Sequence, residues 1–426
     1  MLTETVIHRA SGALYQPVTE EGRALLDLID EHLPAVRAGA ADHDRAGTLP
    51  VDVIEAYGRN GVLGGTVPAE LGGLGVRSLY DVAVALSRVA EADASTALVL
   101  HAQFSRGLTF QYEWKHGSPA AQQLAAQVLK LMAAGDPVCG GVKDHHSGVT
   151  TLTRAGSGEG WVLNGRKTLV TMAGIAKHVI VSAETRVEGE PHRLAAPVLA
   201  ADTPGMTIID NWDGLGMRAS GTVDIVFENC LLPDENVLLR GVVGTRSDVG
   251  LAGQTVSSCA NLGVYVGVAQ AARDIAVAAV ARRKGTPAAA VRTLVAEIDT
   301  RLYSVRATVG SALANADIAN VDLSGDLDER GRLMMLPFQY AKQHVNKVVP
   351  DIVGDCLTLT GGASFTAGHP LARLYRDARA GCFMQPYTYP DAVDYLSAQA
   401  LGLDHDSNYM NVRAARSAEA TKKELT

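Results

Sequence analysis

The stretch Leu371-Ala-Arg-Leu-Tyr-Arg376-Asp377-Ala378-Arg379-Ala-Gly-Cys-Phe-Met-Gln385-Pro386 decides how this chain is read. Two breaks, Gly361-Gly362 and Gly368-His369-Pro370, set it apart from the helical pattern before it. It closes on Gln385, an amide, which cannot take a proton from a carbon acid at neutral pH as a desolvated carboxylate can. Upstream, Ala- and Val-rich periodicity predicts long helices over 264–283, 288–314 and 337–358. Between 137 and 239 the pattern changes to short β-rich runs separated by Gly, Asn, Asp and Pro. Asn164-Gly165 predicts a type I′ hairpin there, and the runs together predict a small antiparallel barrel or sandwich. From Glu20 to Ala134 the period is helical again. Leu25, Leu26, Ile29 and Leu33 share a face, Leu49-Pro50-Val51-Asp52 reads as a helix start, and Asp93 as a cap. The expected fold class is α+β, with a helical domain at 1–135, a β domain at 136–240 and a helical bundle at 241–426.

Composition bounds the function. With 47% hydrophobic and 20% charged residues in 426, the chain can bury a large core and is not disordered. Aromatics are few, so helices are expected to meet through small side chains. A net charge of −8 argues against nucleic acid as partner. The five cysteines are spread out with no Cys-x-x-Cys, which predicts reduced thiols rather than disulfides or a metal site. The first residues lack a signal-peptide core and no uninterrupted apolar run reaches membrane-spanning length. A cytoplasmic protein without membrane insertion is expected.

Six further motifs accompany the opening stretch: Pro68-Ala-Glu70-Leu-Gly72-Gly73-Leu-Gly75, Glu91-Ala-Asp93-Ala-Ser95-Thr96, Trp161-Val-Leu-Asn164-Gly165-Arg-Lys167, Gly216-Met-Arg218-Ala-Ser220, Val266-Gly267-Val-Ala-Gln270 and Thr360-Gly361-Gly362. In this order, over about residues 18–404, they resemble the acyl-CoA dehydrogenases. The resemblance implies helical, β and helical domains and FAD, ahead of FMN, between the β domain and the C-terminal helices. It also implies a homotetramer or dimer, and exchange of electrons with an electron-transfer flavoprotein or a flavin reductase. The implied substrate is a small molecule, such as a CoA or carrier-protein thioester.

The same resemblance assigns site residues. Thr171 stands where a hydroxyl meets the reactive edge of the flavin, and Ser147 in the flavin loop. Arg282 and Arg283 stand near the pyrophosphate position, though a solvated helix end accounts for them equally, and Gly361 and Gly362 allow close backbone approach. Arg218 and Ser220 fall in the substrate-binding strand pair. The flavin loop is otherwise altered, and His145-His146 in it reads either as an acid/base pair or as two surface histidines. The family's catalytic carboxylate falls on Gln385, and its alternative position on Ser257. Asp391 is the nearest carboxylate beyond Gln385; it reads as a displaced base or as a helix N-terminal carboxylate.

These substitutions leave several chemistries open. The first expectation is α,β-oxidation of an acyl thioester with a displaced base. The alternative is a flavin monooxygenase using reduced flavin and O2, since oxygen transfer to nitrogen, sulfur or an aromatic carbon needs no α-carbon base. A nitroalkane-type oxidase and a silent acyl-CoA-binding homologue rank below these.

Overall fold

A computed structural model describes residues 12–156, 158–243, 245, 256–321, 326–384, 387–403 and 405. Gln385 and Pro386 lie outside the described residues. The N-terminal third is helical: α1 (Glu20–Ala46), α2 (Val51–Arg59), α3 (Leu79–Ala90), α4 (Ala94–His116) and α5 (Pro119–Ala133). Four of these helices start where hydroxyl or carboxylate side chains take up free amides, while α2 follows Pro50 without a side-chain cap. Thr19 accepts from Gly22, Ser78 from Asp81, Asp93 from Thr96 and Ser118 from Ala121. On α1 the predicted face is buried as Leu25, Ile29, Leu33, Val36 and Ala40. α4 has no polar face: its residues are buried through most of its length.

Ten strands form one sheet system: β1 (Val138–Gly141), β2 (Lys143–Asp144), β3 (Thr151–Arg154), β4 (Trp161–Val170), β5 (His178–Val181), β6 (Ala183–Thr185), β7 (Arg193–Ala200), β8 (Met206–Ile209), β9 (Val223–Leu232) and β10 (Val237–Val242). Their order is β1-β5-β7-β6-β3-β4-β9-β8, with β10 on β7 and β2 on β4. Two expectations are corrected. The sheet is not purely antiparallel, because β1 pairs β5 and β3 pairs β6 in parallel. Asn164-Gly165 is not a hairpin turn: both residues lie inside β4, where the register against β9 shifts between Leu163 and Gly165. That bulge uses the glycine, whose φ is 143° and whose missing Cβ would stand 2.7 Å from Thr150 Cα.

The C-terminal helices are α6 (Leu262–Ala281), α7 (Ala289–Val321), α8 (Leu327–Thr360), α9 (Pro370–Ala378) and α10 (Tyr389–Leu401). α8 begins well before Pro337, which sits inside it together with Pro350. Proline is favoured in a helix's first turn, which is why it reads as a start in sequence. α6 presses on α3 at Gly263 and Gly267, where a Cβ would stand 2.1 Å from Ala83 O and from Ser87 O. The Val266-Gly267 motif is thus a helix-crossing device. The segment Ser258–Ala281 is long and apolar enough to cross a membrane by length and composition, and 56% of its most apolar window is buried inside the protein. Leu262, Val266, Val268 and Ala269 belong to a core shared with the N-terminal helices and the sheet.

Candidate functional site

Three parts of the chain converge around α4. It touches β1, the 3-10 turn Arg218–Ser220 and the 3-10 segment Val256–Asn261. β4 ends at Val170, and Thr171 follows between two left-handed residues, Leu169 (φ 57°) and Met172 (φ 56°). Such backbone is costly for residues with a Cβ and is held by its surroundings. Here Met172 N donates to Ser220 O at 3.1 Å, and Ala219 N to Ser95 Oγ at 3.3 Å. Thr171 Oγ1 lies 3.0 Å from Thr222 Oγ1, which lies 2.6 Å from the buried Ser220 Oγ. Two residues predicted from separate motifs, Thr171 and Ser220, therefore share one hydroxyl cluster.

Across α4, β1 closes on Gly140 and Gly141. A Cβ on Gly141 would stand 3.1 Å from Lys167 Cγ, and one on Gly140 3.2 Å from Arg106 Nε. The ring of His101 is within 3.3 Å of Ser258 O. His101 is half-buried. Burial pushes its pKa down to about 4; the Ser258 carbonyl opposes this and the Arg106 charge adds to it. It is a neutral donor at physiological pH.

Beside this junction runs a seam of partnered charged residues, in which Asp377 Oδ2 is buried without a hydrogen bond. Asp377 Oδ1 accepts from Met217 N at 2.6 Å, and burial pushes that carboxyl up to about 7. Arg376 makes a forked pair with Asp44, with NH1 to Oδ1 at 3.0 Å and NH2 to Oδ2 at 2.5 Å. Arg373 donates to Asp93 Oδ1 at 3.1 Å and to Ala92 O at 3.2 Å. Arg218, expected to bind substrate, donates to Asp44 O (2.9 Å), Gly214 O (3.1 Å) and Asp213 Oδ1 (3.2 Å). Its Nε and one terminal nitrogen are thereby held by the fold, and the residue also lines the adjoining cleft. The seam walls a cleft of about 1340 Å³, which Arg37 on α1 and Arg282 just past the end of α6 also line. Among the described residues, neither has a carboxylate partner.

The other predicted residues are dispersed. Ser147 is exposed, and its hydroxyl lies 2.8 Å from His145 Nδ1. The ring centroids of His145 and His146 lie 3.8 Å apart with the rings tilted by 42°, His145 half-buried and His146 exposed. Desolvation and then the His146 charge hold His145 below its usual range. Arg283 donates to Leu359 O and to Thr360 O (3.3 Å), which brings it beside Gly361 and Gly362. Around those glycines, nothing stands within 4 Å of a would-be Cβ. Asp391 closes a capping box at the start of α10: its Oδ2 accepts from Thr388 N (3.1 Å) and Oγ1 (2.7 Å). This matches the helix-end reading and leaves the displaced-base reading without support. Ser257 lies in the backbone of Val256–Asn261, and Gln385 outside the described residues.

Sequence reasoning missed His101 and Arg106. They fall in no motif and look like the polar end of an apolar run. The available signal was α4 itself, because a helix apolar on every side buries whatever charge it carries.

The comparisons fit this geometry. The acyl-CoA dehydrogenase N-terminal domain matches residues 19–136, the middle domain 140–230 and the C-terminal domain 257–385. The chain belongs to the acyl-CoA dehydrogenase superfamily. Within it, the protein is a flavin-dependent oxidoreductase. It is 59% identical over 405 residues to L-evernosamine nitrososynthase of a Micromonospora species, covering 95% of this chain and 96% of that one. It is 59% identical over 410 residues to the amino sugar nitrososynthase RubN8 of Streptomyces rubradiris, covering 96% and 97%. The structure of KijD3 in complex with FMN and dTDP-3-amino-2,3,6-trideoxy-4-keto-3-methyl-D-glucose matches with a TM-score of 0.92 and 62% identity, covering 95% of this chain and 99% of that chain. These relatives favour the monooxygenase alternative over acyl-thioester oxidation, the first expectation, and FMN over FAD. Nothing in them points to a CoA thioester or an electron-transfer flavoprotein.

Proposed function

We propose that this chain is a flavin-dependent N-oxygenase that oxidises the amino group of a nucleotide-linked amino deoxysugar through the hydroxylamine to the nitroso compound, with FMN as its flavin. The observation that carries this reading is the likeness of nearly the whole chain to amino sugar nitrososynthases. Both positions of the family's base agree with it, since they hold Gln385 and Ser257 and the nearest substitute, Asp391, is a helix cap.

Reduced flavin and dioxygen supply one oxygen atom per turn. In the first turn amine, O2 and reduced flavin give hydroxylamine, water and oxidised flavin. In the second, hydroxylamine, O2 and reduced flavin give nitroso compound, two waters and oxidised flavin. The chain must exclude bulk water, hold the ring edge and keep the attacking nitrogen unprotonated. The cluster of Thr171, Ser220 and Thr222 suits the ring edge, because hydroxyls donate or accept as the ring requires. Neutral His101 suits a dry pocket in which an amine must not meet a stronger acid. The open backbone at Gly361-Gly362 suits a nucleotide phosphate. Arg283, held by two backbone carbonyls, is less free to reach a dinucleotide, which supports FMN. Phe365 and Phe383, 92% and 70% exposed, support a homo-oligomer.

The test supplies FMN, a flavin reductase with reduced nicotinamide, O2 and a dTDP-linked 3-amino sugar, and follows the products by mass spectrometry. Hydroxylamine and nitroso products are expected, with no anaerobic bleaching of the flavin by acyl-CoAs. Acyl-CoA bleaching with the amine left intact would sink the reading.

A further inference from the structure

Arg106 has no role in the fold that its surroundings explain. It is 7% exposed, and among the described residues it has no hydrogen bond and no carboxylate partner. The charged group nearest in effect is Arg240, also a cation. Arg240 is satisfied by Glu113 Oε1, at 3.0 Å from Nε and 2.9 Å from NH2. Glu113 thus answers Arg240, and among the described residues no carboxylate answers Arg106. Burial and the Arg240 charge push its pKa down to about 10, so it stays protonated at neutral pH. An unpaired buried cation is costly, and a protein retains one where an anion completes it.

The backbone beside Arg106 is a glycine. The guanidinium lies along Gly140, with Nε 3.2 Å and Cζ 3.4 Å from the position of a Cβ. Any larger residue at 140 would press on it. Gly140 is itself partly accessible, whereas Cys139 and Gly141 on either side are buried. Accessible surface on β1 therefore lies at the residue that the guanidinium lies along.

We propose that Arg106 is an anion-binding residue that receives a phosphate group of a bound nucleotide. Guanidinium matches phosphate through paired N–H donors, and its charge is fully used only when that ligand is present. The phosphate comes either from the flavin mononucleotide or from the sugar nucleotide. This assignment builds on the proposed function, but its test reads binding rather than turnover.

The test compares the full-length protein with Arg106→Met and Arg106→Lys, using titration calorimetry and thermal unfolding. The probes are FMN against riboflavin, and dTDP against thymidine. In Arg106→Met, one phosphorylated probe is expected to weaken about tenfold or more, toward its phosphate-free counterpart. The probe that weakens identifies the source, and Arg106→Lys should fall between. Without ligand, Arg106→Met should be as stable as the parent or more so, because it removes a buried charge. Unchanged binding of both probes, or a wild type that binds neither, overturns the assignment. So does a marked loss of stability in ligand-free Arg106→Met, which would make the residue structural. Failure of amine oxidation with the binding differences intact would overturn the N-oxygenase reading alone.

Discussion

Two regions of this molecule carry similar side chains and use them in opposite ways. Along the seam between α1, the 213–218 loop and α9, charged residues meet partners: Arg376 meets Asp44, Arg373 meets Asp93, Arg218 meets three oxygens, and Asp377 meets Met217 N through one of its two oxygens. At the junction around α4, Arg106 has no partner among the described residues and His101 has a single carbonyl. The seam holds the residues that make the family legible. The difference teaches that a motif's charged residues can be its structural part, while residues in no motif carry unspent capacity.

Replacing Asp377 tests the seam most severely. Asp377→Ala strips a buried amide of its acceptor and should cost about 2–3 kcal/mol in urea unfolding. A loss below ~1 kcal/mol would mean the seam is not what holds α9.

The two regions should also differ in the sign of their pH dependence. His101 has a folded pKa of about 4, below its unfolded 6.5. Its contribution is present above pH 6.5 and is lost as pH falls toward 4, by up to about 3 kcal/mol. Asp377 has a folded pKa of about 7, above its unfolded 3.8. Its contribution is present at low pH and is lost as pH rises through 7. Between pH 4 and 6.5 the stability of His101→Gln relative to the parent should therefore fall as pH rises, and that of Asp377→Asn relative to the parent should rise. Slopes of the same sign would erase the contrast.

A double-mutant cycle on Asp44 and Arg376 should give a coupling of about 1–2 kcal/mol, more than an exposed pair because the fork is partly buried. Zero coupling would reduce the pair to surface decoration. The mildest expected effect on folding belongs to Asp391→Asn, which weakens one cap by roughly 0.5–1 kcal/mol. Turnover per folded molecule should stay within about twofold in this variant, since a lost general base costs 10²-fold or more. A collapse of turnover would restore Asp391 as a catalytic carboxylate.

Much of the fold was legible because helix periodicity, caps and ordered motifs are local properties. Thr19, Ser78, Asp93 and Ser118 announce helix starts within a few residues of themselves. Asn164-Gly165 misled because a left-handed glycine serves a bulge as well as a turn, and only the strand on each side decides which. Parallel pairing of β1 with β5 was invisible for a similar reason: alternation along a strand does not specify its neighbour's direction. Of the candidate site, Thr171 and Ser220 could be named from motifs, but not their meeting through Thr222.

By itself the sequence determined the superfamily, the three-part architecture and the lack of a carboxylate at both base positions, since each depends on residue identity and order. Tertiary structure alone decided which charges are spent and which are available. Pairing is a matter of distance, and residues such as Asp44 and Arg376, or Arg106 and Gly140, become neighbours only when helices and sheet pack. The same guanidinium group is a strut where a carboxylate meets it and a candidate binding group where none does.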